Sequence, residues 1–368
     1  MYLYGMLGRV RGIPLLVGSC RDGSRLGDKC QHSAQGSVTR DATGCAGAKD
    51  AMITTRYGVG ASMSGASLDA ILPLKVDGSY GLDDLHRTDV LMASLNAFFE
   101  PDLLSTFLIV SPAQEVGAVK DYLSQWPSLP IEVMAEEDLV PELRRYPKLR
   151  GWRKQQLVKL AAYRELSSDY CLTFDADVFS TCPTKRSDLL PAGKALMQYE
   201  SRSLHPRWWA SSACLLDVSE SVGDPDRGMA ITPAIFARDL LKSLTHTLST
   251  RRYSWAERLC RLHLPWNPSN WTPARFRRAR WTEYSLYYLH AAAIGAIDDF
   301  YIEGGSDSVP QVLLGHEAHP FEQWQPAYTF SAGNPALFCL VGSKSGLSSN
   351  VVWDAVKAFI PGEGARHG

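Results

Sequence analysis

The stretch Asp169-Tyr170-Cys171-Leu172-Thr173-Phe174-Asp175-Ala176-Asp177-Val178-Phe179 decides the fold. Tyr170 to Phe174 is a short, mostly apolar run containing Tyr, Thr and Phe, the pattern of a buried strand. Asp is disfavoured inside strands, which puts Asp175 and Asp177 where the chain leaves the sheet. Ligands of α/β proteins gather at the C-terminal edge of a parallel sheet. Two carboxylates there can hold a hard divalent cation, and that cation can neutralise a diphosphate. Asp is also a common turn residue, so a solvated turn is the plain alternative.

Upstream, strand and helix signals alternate. Asp69 to Val76 reads as a first strand. Leu85, Val90, Leu91, Leu95 and Phe98 then recur at helical spacing after a cap region at Asp83-Asp84. Leu103 to Val110 is a second strand, followed by a helix to about Gln125 and a third strand at Ile131 to Met134. Helical spacing returns from Trp152 to Leu166, directly before the Asp169 run. This order predicts an α/β fold, a mostly parallel sheet flanked by helices.

Downstream the pattern predicts an irregular, helical C-terminal half. A strand is expected at Ala195 to Tyr199, and a helix from Pro233 to Leu248 with Pro in its first turn. A helix at Tyr284 to Ala293, a strand at Ile294 to Tyr301 and a last helix at Asn350 to Phe359 complete the expectation. Residues 251–280 carry eight arginines against one acid, Glu257, with Trp255, Trp266, Trp271 and Phe276 interleaved. Such an insertion either grips an anionic glycan or membrane surface, or is a solvated amphipathic segment with aromatic anchors.

Composition limits the function classes. Of 368 residues, 45% are hydrophobic and 21% charged, as in ordinary globular proteins, and the formal net charge of −1 gives no field for nucleic acid. No run of 18 apolar residues exists, so no transmembrane segment is predicted, and peripheral membrane contact stays open. The apolar stretch Ile13 to Val17 is too short for a signal peptide, which predicts a cytoplasmic protein. Its eight cysteines match no zinc spacing and are expected to be reduced thiols. Residues 1–67 hold 12 of the 29 glycines and no apolar period. They are expected to form a flexible or poorly packed extension, with Met52 and Met63 as alternative starts.

On the helix before the Asp pair, Trp152, Gln156, Lys159 and Tyr163 fall on one face, and Leu157, Leu160 and Ala161 on another. A Lys and a Gln leading toward two carboxylates suit a phosphate-bearing ligand, and a solvated face is the alternative.

The order GWRKQQLVKLAAYRELSSDYCLTFDADVFSTCP at 151–183 resembles GT-A-type glycosyltransferases, in which a helix precedes a strand ending in Asp-x-Asp. It is also similar to bacterial proteins of poorly defined function that carry an RQQLLKL…DADV run. Gly228 to Ile235, Arg280 to Tyr287, and the strand at Ile71 with Leu85 to Asp89 share that likeness, which covers 69–330. The resemblance implies a GT-A-like domain at 68–330, with a nucleotide-binding half at 68–183, an acceptor half at 184–330, and a C-terminal segment at 331–368. It implies a Mn²⁺- or Mg²⁺-dependent transfer of a sugar from a nucleotide-sugar donor to a glycan or lipid-linked glycan acceptor. On this resemblance Asp175 and Asp177 hold the metal, with His316 as a third ligand, and Asp175 also touches the donor. Arg87, Gln156 and Lys159 contact the donor, and Glu283 is the acceptor-binding residue or general base. For Glu283 the alternative is a helix-start acid after a Thr282 cap.

Two other classes stay open. Haloacid-dehalogenase-type phosphohydrolases also begin with a strand ending in Asp-x-Asp, with Asp175 as nucleophile, Asp177 as general acid, and Asp298-Asp299 as the late acidic pair. Against this, residues 69–168 of α/β pattern come first, and Thr181 lies two places late. A non-catalytic sugar-nucleotide- or glycan-binding protein is the other.

Overall fold

The computed structural model describes residues 66–76, 84–230, 232–263, 272–305, 312–315, 318, 320–342 and 345–362, all within the unit Met63–Gly368. The expectation for residues 1–67 falls almost wholly outside them, as do His316 and the Trp266 and Trp271 of the basic stretch.

The first half runs β1 (Leu68–Pro73), α1 (Asp84–Phe98), β2 (Phe107–Ser111), α2 (Val116–Leu123), β3 (Ile131–Ala135), α3 (Glu136–Leu139), α4 (Gly151–Ala161), β4 (Tyr170–Thr173) and β5 (Val178–Ser180). Then come α5 (Arg186–Leu189), β6 (Ala195–Met197), β7 (Tyr199–Ser201), α6 (Pro206–Leu216), β8 (Arg227–Met229), β9 (Ala234–Ala237), α7 (Arg238–Leu248), α8 (Trp255–Arg261), α9 (Pro273–Arg278) and α10 (Glu283–Ala293). The chain closes with α11 (Ile297–Phe300), β10 (Tyr301–Glu303), β11 (Val312–Gly315), α12 (Pro326–Thr329), β12 (Ala336–Leu340) and α13 (Ser349–Val356).

The central sheet has the order β3-β2-β1-β4-β9. β1 to β4 are mutually parallel, and β9 closes the edge antiparallel to β4. The expected mostly parallel sheet with flanking helices is therefore the observed architecture. From β1 the chain steps outward through β2 and β3, then returns by α4 to place β4 on the other side of β1. Strand order reverses between β1 and β4, the crevice where open α/β sheets bind ligands.

β4 ends in a tightly anchored turn. Phe174 is fully buried between Phe107 of β2, at 5.7 Å, and Phe338 of β12, at 5.6 Å between ring centres. Phe179 of β5 stacks on Phe330 at 5.9 Å. Two buried aromatic anchors thus bracket Asp175-Ala176-Asp177, and β5 continues into a second sheet of order β11-β12-β5. Val341 N–H donates to the Asp177 carbonyl at 3.1 Å. The segment after residue 330 is in this way built against the end of the Asp-x-Asp turn.

Three elements differ from expectation. The helix expected from Pro233 begins only at Arg238, and Ala234–Ala237 is strand β9 instead. Thr232-Pro233 is a cis peptide. An apolar run such as Ala-Ile-Phe-Ala does not by itself distinguish strand from buried helix; the open edge of β4 decides. The strand expected at Ile294 to Tyr301 begins only at Tyr301, because Gly295, with φ of +70°, caps α10 and Ile297–Phe300 forms a helical turn. The single strand expected at Ala195 to Tyr199 divides into β6 and β7, in different sheets. Among the described residues no helix is long and apolar enough to cross a membrane.

Gly228 in β8 is fixed by close approach. A Cβ there would lie 2.1 Å from Cη2 of Trp209, itself 4% exposed. Gly228→Ala is expected to cost about 1–3 kcal/mol by overpacking, read as a lower urea midpoint at unchanged slope. An unchanged midpoint would show that Trp209 is not seated on Gly228.

Candidate active site

α4 follows β3 and runs back across the sheet, so its N-terminus lies at the edge where β4 ends. Gln156 and Lys159 are each 2% exposed, as buried as Leu157 and Leu160. They do not form the solvated face that was one reading of the sequence. Trp152 is the exception, at 47% exposure.

Lys159 is the hub of a buried polar cluster. Its Nζ donates to Asp175 Oδ1 at 2.7 Å, to the Tyr284 hydroxyl at 3.0 Å and to Thr232 Oγ1 at 3.3 Å. Those three bonds use all the donors of an ammonium group. Glu283 Oε1 lies 3.7 Å away. Thr173 Oγ1 donates to the Ala234 carbonyl, which leaves it to accept from Tyr284 at 3.2 Å. β4, β9, α4 and α10 therefore all meet at one ammonium.

Burial is the largest influence on Lys159 and acts against its charge, but Asp175, Tyr284 and Glu283 together outweigh it and lift the pKa well above that of ordinary lysine. Burial also pushes the Glu283 carboxyl up, against the pull of Lys159. Tyr284 is raised to about 12, again mainly by burial. Glu283 sits where its helix-start reading puts it, and it also faces the cluster. It opens α10 behind a capping box of Thr282 and Ser285, and its side chain, 6% exposed, turns inward to Lys159.

Behind Glu283 lies Arg153. It donates to Gln156 Oε1 at 2.8 Å, to the Trp281 carbonyl at 2.5 Å and to the Ala279 carbonyl at 2.8 Å. Gln156 thus holds Arg153. Burial lowers Arg153 to about 10, Glu283 opposes this, and Arg280 and Arg150 add to it.

Asp175 is the exposed end of the cluster, with its side chain 40% accessible. Its Oδ2 makes no hydrogen bond among the described residues. Asp177 follows in the same turn. Among the described residues no three His, Cys, Asp or Glu side chains form a complete ligand set. A Mg²⁺-like ion needs only one or two carboxylates when phosphates and water complete its shell, and Asp175, with its Oδ2 open, and the half-buried Asp177 supply that number. The expected third ligand, His316, lies outside the described residues.

Arg87 stands behind the turn. It is 4% exposed and donates to the carbonyls of Val341, at 3.5 Å, and Leu347, at 2.5 Å. Its link to Asp177 is the Val341 backbone, and the structure does not bring its guanidinium into the Lys159 cluster. Of the phosphohydrolase residues, Asp298 and Asp299 are exposed on α11, with the Asp298 carbonyl accepting from Lys194 at 2.6 Å. Thr181 Oγ1 donates to the Ala336 carbonyl.

The sequence reasoning missed Arg153, Thr232 and Tyr284. Tyr284 had a signal, since it adjoins Glu283. Arg153 had a weaker one, three residues before Gln156 on α4. In the basic stretch, Glu257 is buried and takes Arg145 at 2.6 Å and the Tyr146 hydroxyl, while Arg258 caps the Leu248 and Leu215 carbonyls. Part of that stretch is structural.

Residues 65–364 match a family described as "Family of unknown function (DUF6492)". The chain belongs to this family. No curated protein matches this DUF6492 chain. Among solved structures, the apo form of mouse xyloside xylosyltransferase 1 is 8% identical, covering 77% of this chain and 100% of its own, with a TM-score of 0.42. Core-mannan synthase A of Aspergillus fumigatus, in a Mn/GDP form, is 8% identical over 65% of this chain and 73% of its own, with a TM-score of 0.38. Glucosyl-3-phosphoglycerate synthase of Mycobacterium tuberculosis, with Mn²⁺, UDP and glucosyl-3-phosphoglycerate, is 14% identical over 49% of this chain and 59% of its own, with a TM-score of 0.28. Likenesses this remote carry no argument about activity.

Proposed function

We propose that this DUF6492 chain is a glycosyltransferase that moves a sugar from a nucleotide-diphosphate donor to a glycan-type acceptor. The observation that carries the reading is the Asp175-Ala176-Asp177 turn at the strand-order reversal, with Lys159 bonded to Asp175 and Glu283 beside it. Asp175 and Asp177 would hold a Mn²⁺ or Mg²⁺ ion, which when bound supplies charge neutralisation to a diphosphate leaving group.

The chain's own residues do the rest. Lys159 fixes one oxygen of Asp175 and leaves the other toward solvent. Arg87, through Val341, braces the backbone of the turn. Glu283, beside Lys159 at the start of α10, is the carboxylate assigned to acceptor binding or to general-base work. Tyr284 and Thr173 hold the cluster's geometry from β4 and α10. Asp298-Asp299 lie on α11, whose Phe300 carbonyl accepts from the Tyr170 hydroxyl at the start of β4, the end opposite Asp175, and this speaks against the phosphohydrolase alternative, whose late acidic pair belongs beside the nucleophile.

The test is nucleotide binding by calorimetry, with UDP and GDP in Mn²⁺. Wild type is expected to bind one of them. Asp177→Ala or added chelator is expected to weaken binding by at least about 100-fold, roughly 3 kcal/mol. Binding indifferent to both would sink the reading, and phosphate release from p-nitrophenyl phosphate lost in Asp175→Asn would replace it.

A further inference from the structure

The exposed end of α4 carries more than a helix start. Trp152 lies seven residues before Lys159 on the same face, about 10 Å along the axis, at the sheet edge where Asp175 emerges. Its ring is held in place. The Arg153 guanidinium sits 4.4 Å from its centre, and Trp208 of α6 lies 6.3 Å away at 40°. His205 stacks on Trp208 at 3.7 Å and 20°. Trp152 of α4, Trp208 of α6 and His205 at the α6 N-cap thus form one chain of ring contacts, an aromatic shelf whose open part is Trp152, with nearly half of its surface exposed to solvent.

The rim of the shelf is cationic. Arg280 is joined to α6 by its backbone N–H, which donates to Ser211 Oγ at 3.2 Å, one helical turn beyond Trp208. Arg150 immediately precedes α4. Both are exposed, and both lie close enough to Arg153 to disfavour its charge. Among the described residues neither pairs with a carboxylate. Glu283 answers Arg153 from the interior, so the surplus positive charge sits at the surface.

A half-exposed indole, one face of it backed by Arg153, beside two guanidinium groups without carboxylate partners matches one kind of ligand. A sugar ring offers an apolar C–H face to stack on the indole, and an acidic substituent accepts from Arg in a fork. A membrane surface asks for several protruding apolar side chains. On the described parts of α4, α6, α9 and the first turn of α10, Trp152 is the single exposed large one.

We propose that the Trp152, Trp208 and His205 shelf, edged by Arg150 and Arg280, binds an acidic sugar unit, one bearing a carboxylate or phosphate, of the acceptor glycan. The proposal rests on the glycosyltransferase reading, because it places the acceptor at the same sheet edge as the Asp pair.

Binding of a galacturonate hexamer, a mannose-6-phosphate-bearing oligomer, neutral maltohexaose and phosphatidylglycerol vesicles would be measured on the full chain, alongside Mn²⁺-dependent nucleotide binding. Wild type is expected to bind at least one acidic oligomer and maltohexaose much more weakly. Trp152→Ala is expected to weaken the acidic oligomer by about tenfold, as for an aromatic anchor, with Trp152→Phe retaining most of it. Arg280→Ser is expected to weaken it several-fold and flatten its salt dependence. Nucleotide binding should stay as in wild type in all three variants, and the thermal midpoint should stay so in Trp152→Phe and Arg280→Ser and fall by only a few degrees in Trp152→Ala, which loses its contacts with Arg153 and Trp208. Nucleotide binding without binding of either acidic oligomer overturns the shelf and leaves the glycosyltransferase reading standing. So does acidic-oligomer binding unchanged in Trp152→Ala, maltohexaose binding as tight as that of the acidic oligomers, or Trp152-dependent vesicle binding alone. Loss of metal-dependent nucleotide binding from wild type itself strikes the reading beneath it.

Discussion

Lys159→Met is expected to destabilise the chain by about 3–5 kcal/mol, the cost of removing one partner from a buried ion pair. Met fills a similar volume, so packing is nearly conserved and the electrostatic loss is isolated. Asp175 and Glu283 would then face each other without the cation between them, and the Tyr284 and Thr232 oxygens would lose a donor. Urea unfolding gives the measurement, and the thermal midpoint should fall by about 10 °C for a unit of this size. Lys159→Met/Glu283→Gln should recover part of the loss, because it removes the orphaned buried carboxylate. The pH dependence has a definite sign. A folded-state pKa raised above the ordinary 4.5 gives Glu283 a contribution present below that pH and lost as pH rises through the folded value. Removing Lys159 raises Glu283 further, so Lys159→Met should be least stable relative to wild type at alkaline pH. A single-variant loss under 1 kcal/mol, or a double variant no better than the single, would refute the cluster as described.

The second large effect belongs to His290, about two turns along α10 from Glu283. It is 5% exposed, and burial lowers its pKa from 6.5 to about 4. Its Nε2 shares a hydrogen bond with Ser243 Oγ at 2.9 Å. The neutral ring is the folded form, while the unfolded chain takes up a proton below about pH 6.5. Its contribution is therefore intact above that pH and is lost as pH falls toward 4, by about 3 kcal/mol in total. Wild type and His290→Gln compared by urea unfolding from pH 7 to 4 should diverge in slope, with the variant less acid-sensitive by that amount. Carboxylates titrate in both, so the difference isolates the imidazole. Parallel curves would mean that His290 is hydrated in the folded state.

What the sequence made legible follows from locality. β1 to β4 and the helices between them carry their own periodicity, and the Asp-x-Asp turn announces itself by two disfavoured residues at a strand's end. α10 announces itself by Thr282 and its first-turn acid. The misread elements depend on distant partners. Ala234–Ala237 is a strand because β4 offers it an edge. Gln156 and Lys159 sit at polar helical positions that look solvated until α10 and β9 cover them. Arg153 binds carbonyls at 279 and 281, a choice that no spacing within α4 reveals.

Consider finally how β5 and β12 are joined. Thr181 and its partner Ala336 are 155 residues apart, and Val341 bonds to Asp177 just beyond them. A chain made from its N-terminus finishes β4 early, yet the turn that follows lacks its brace until β12 has left the ribosome. Domains fold as units during synthesis, and contacts this far apart in sequence form late. The candidate catalytic turn should thus be among the last parts to set, and a nascent chain stalled before residue 336 should hold its parallel sheet without a competent Asp pair.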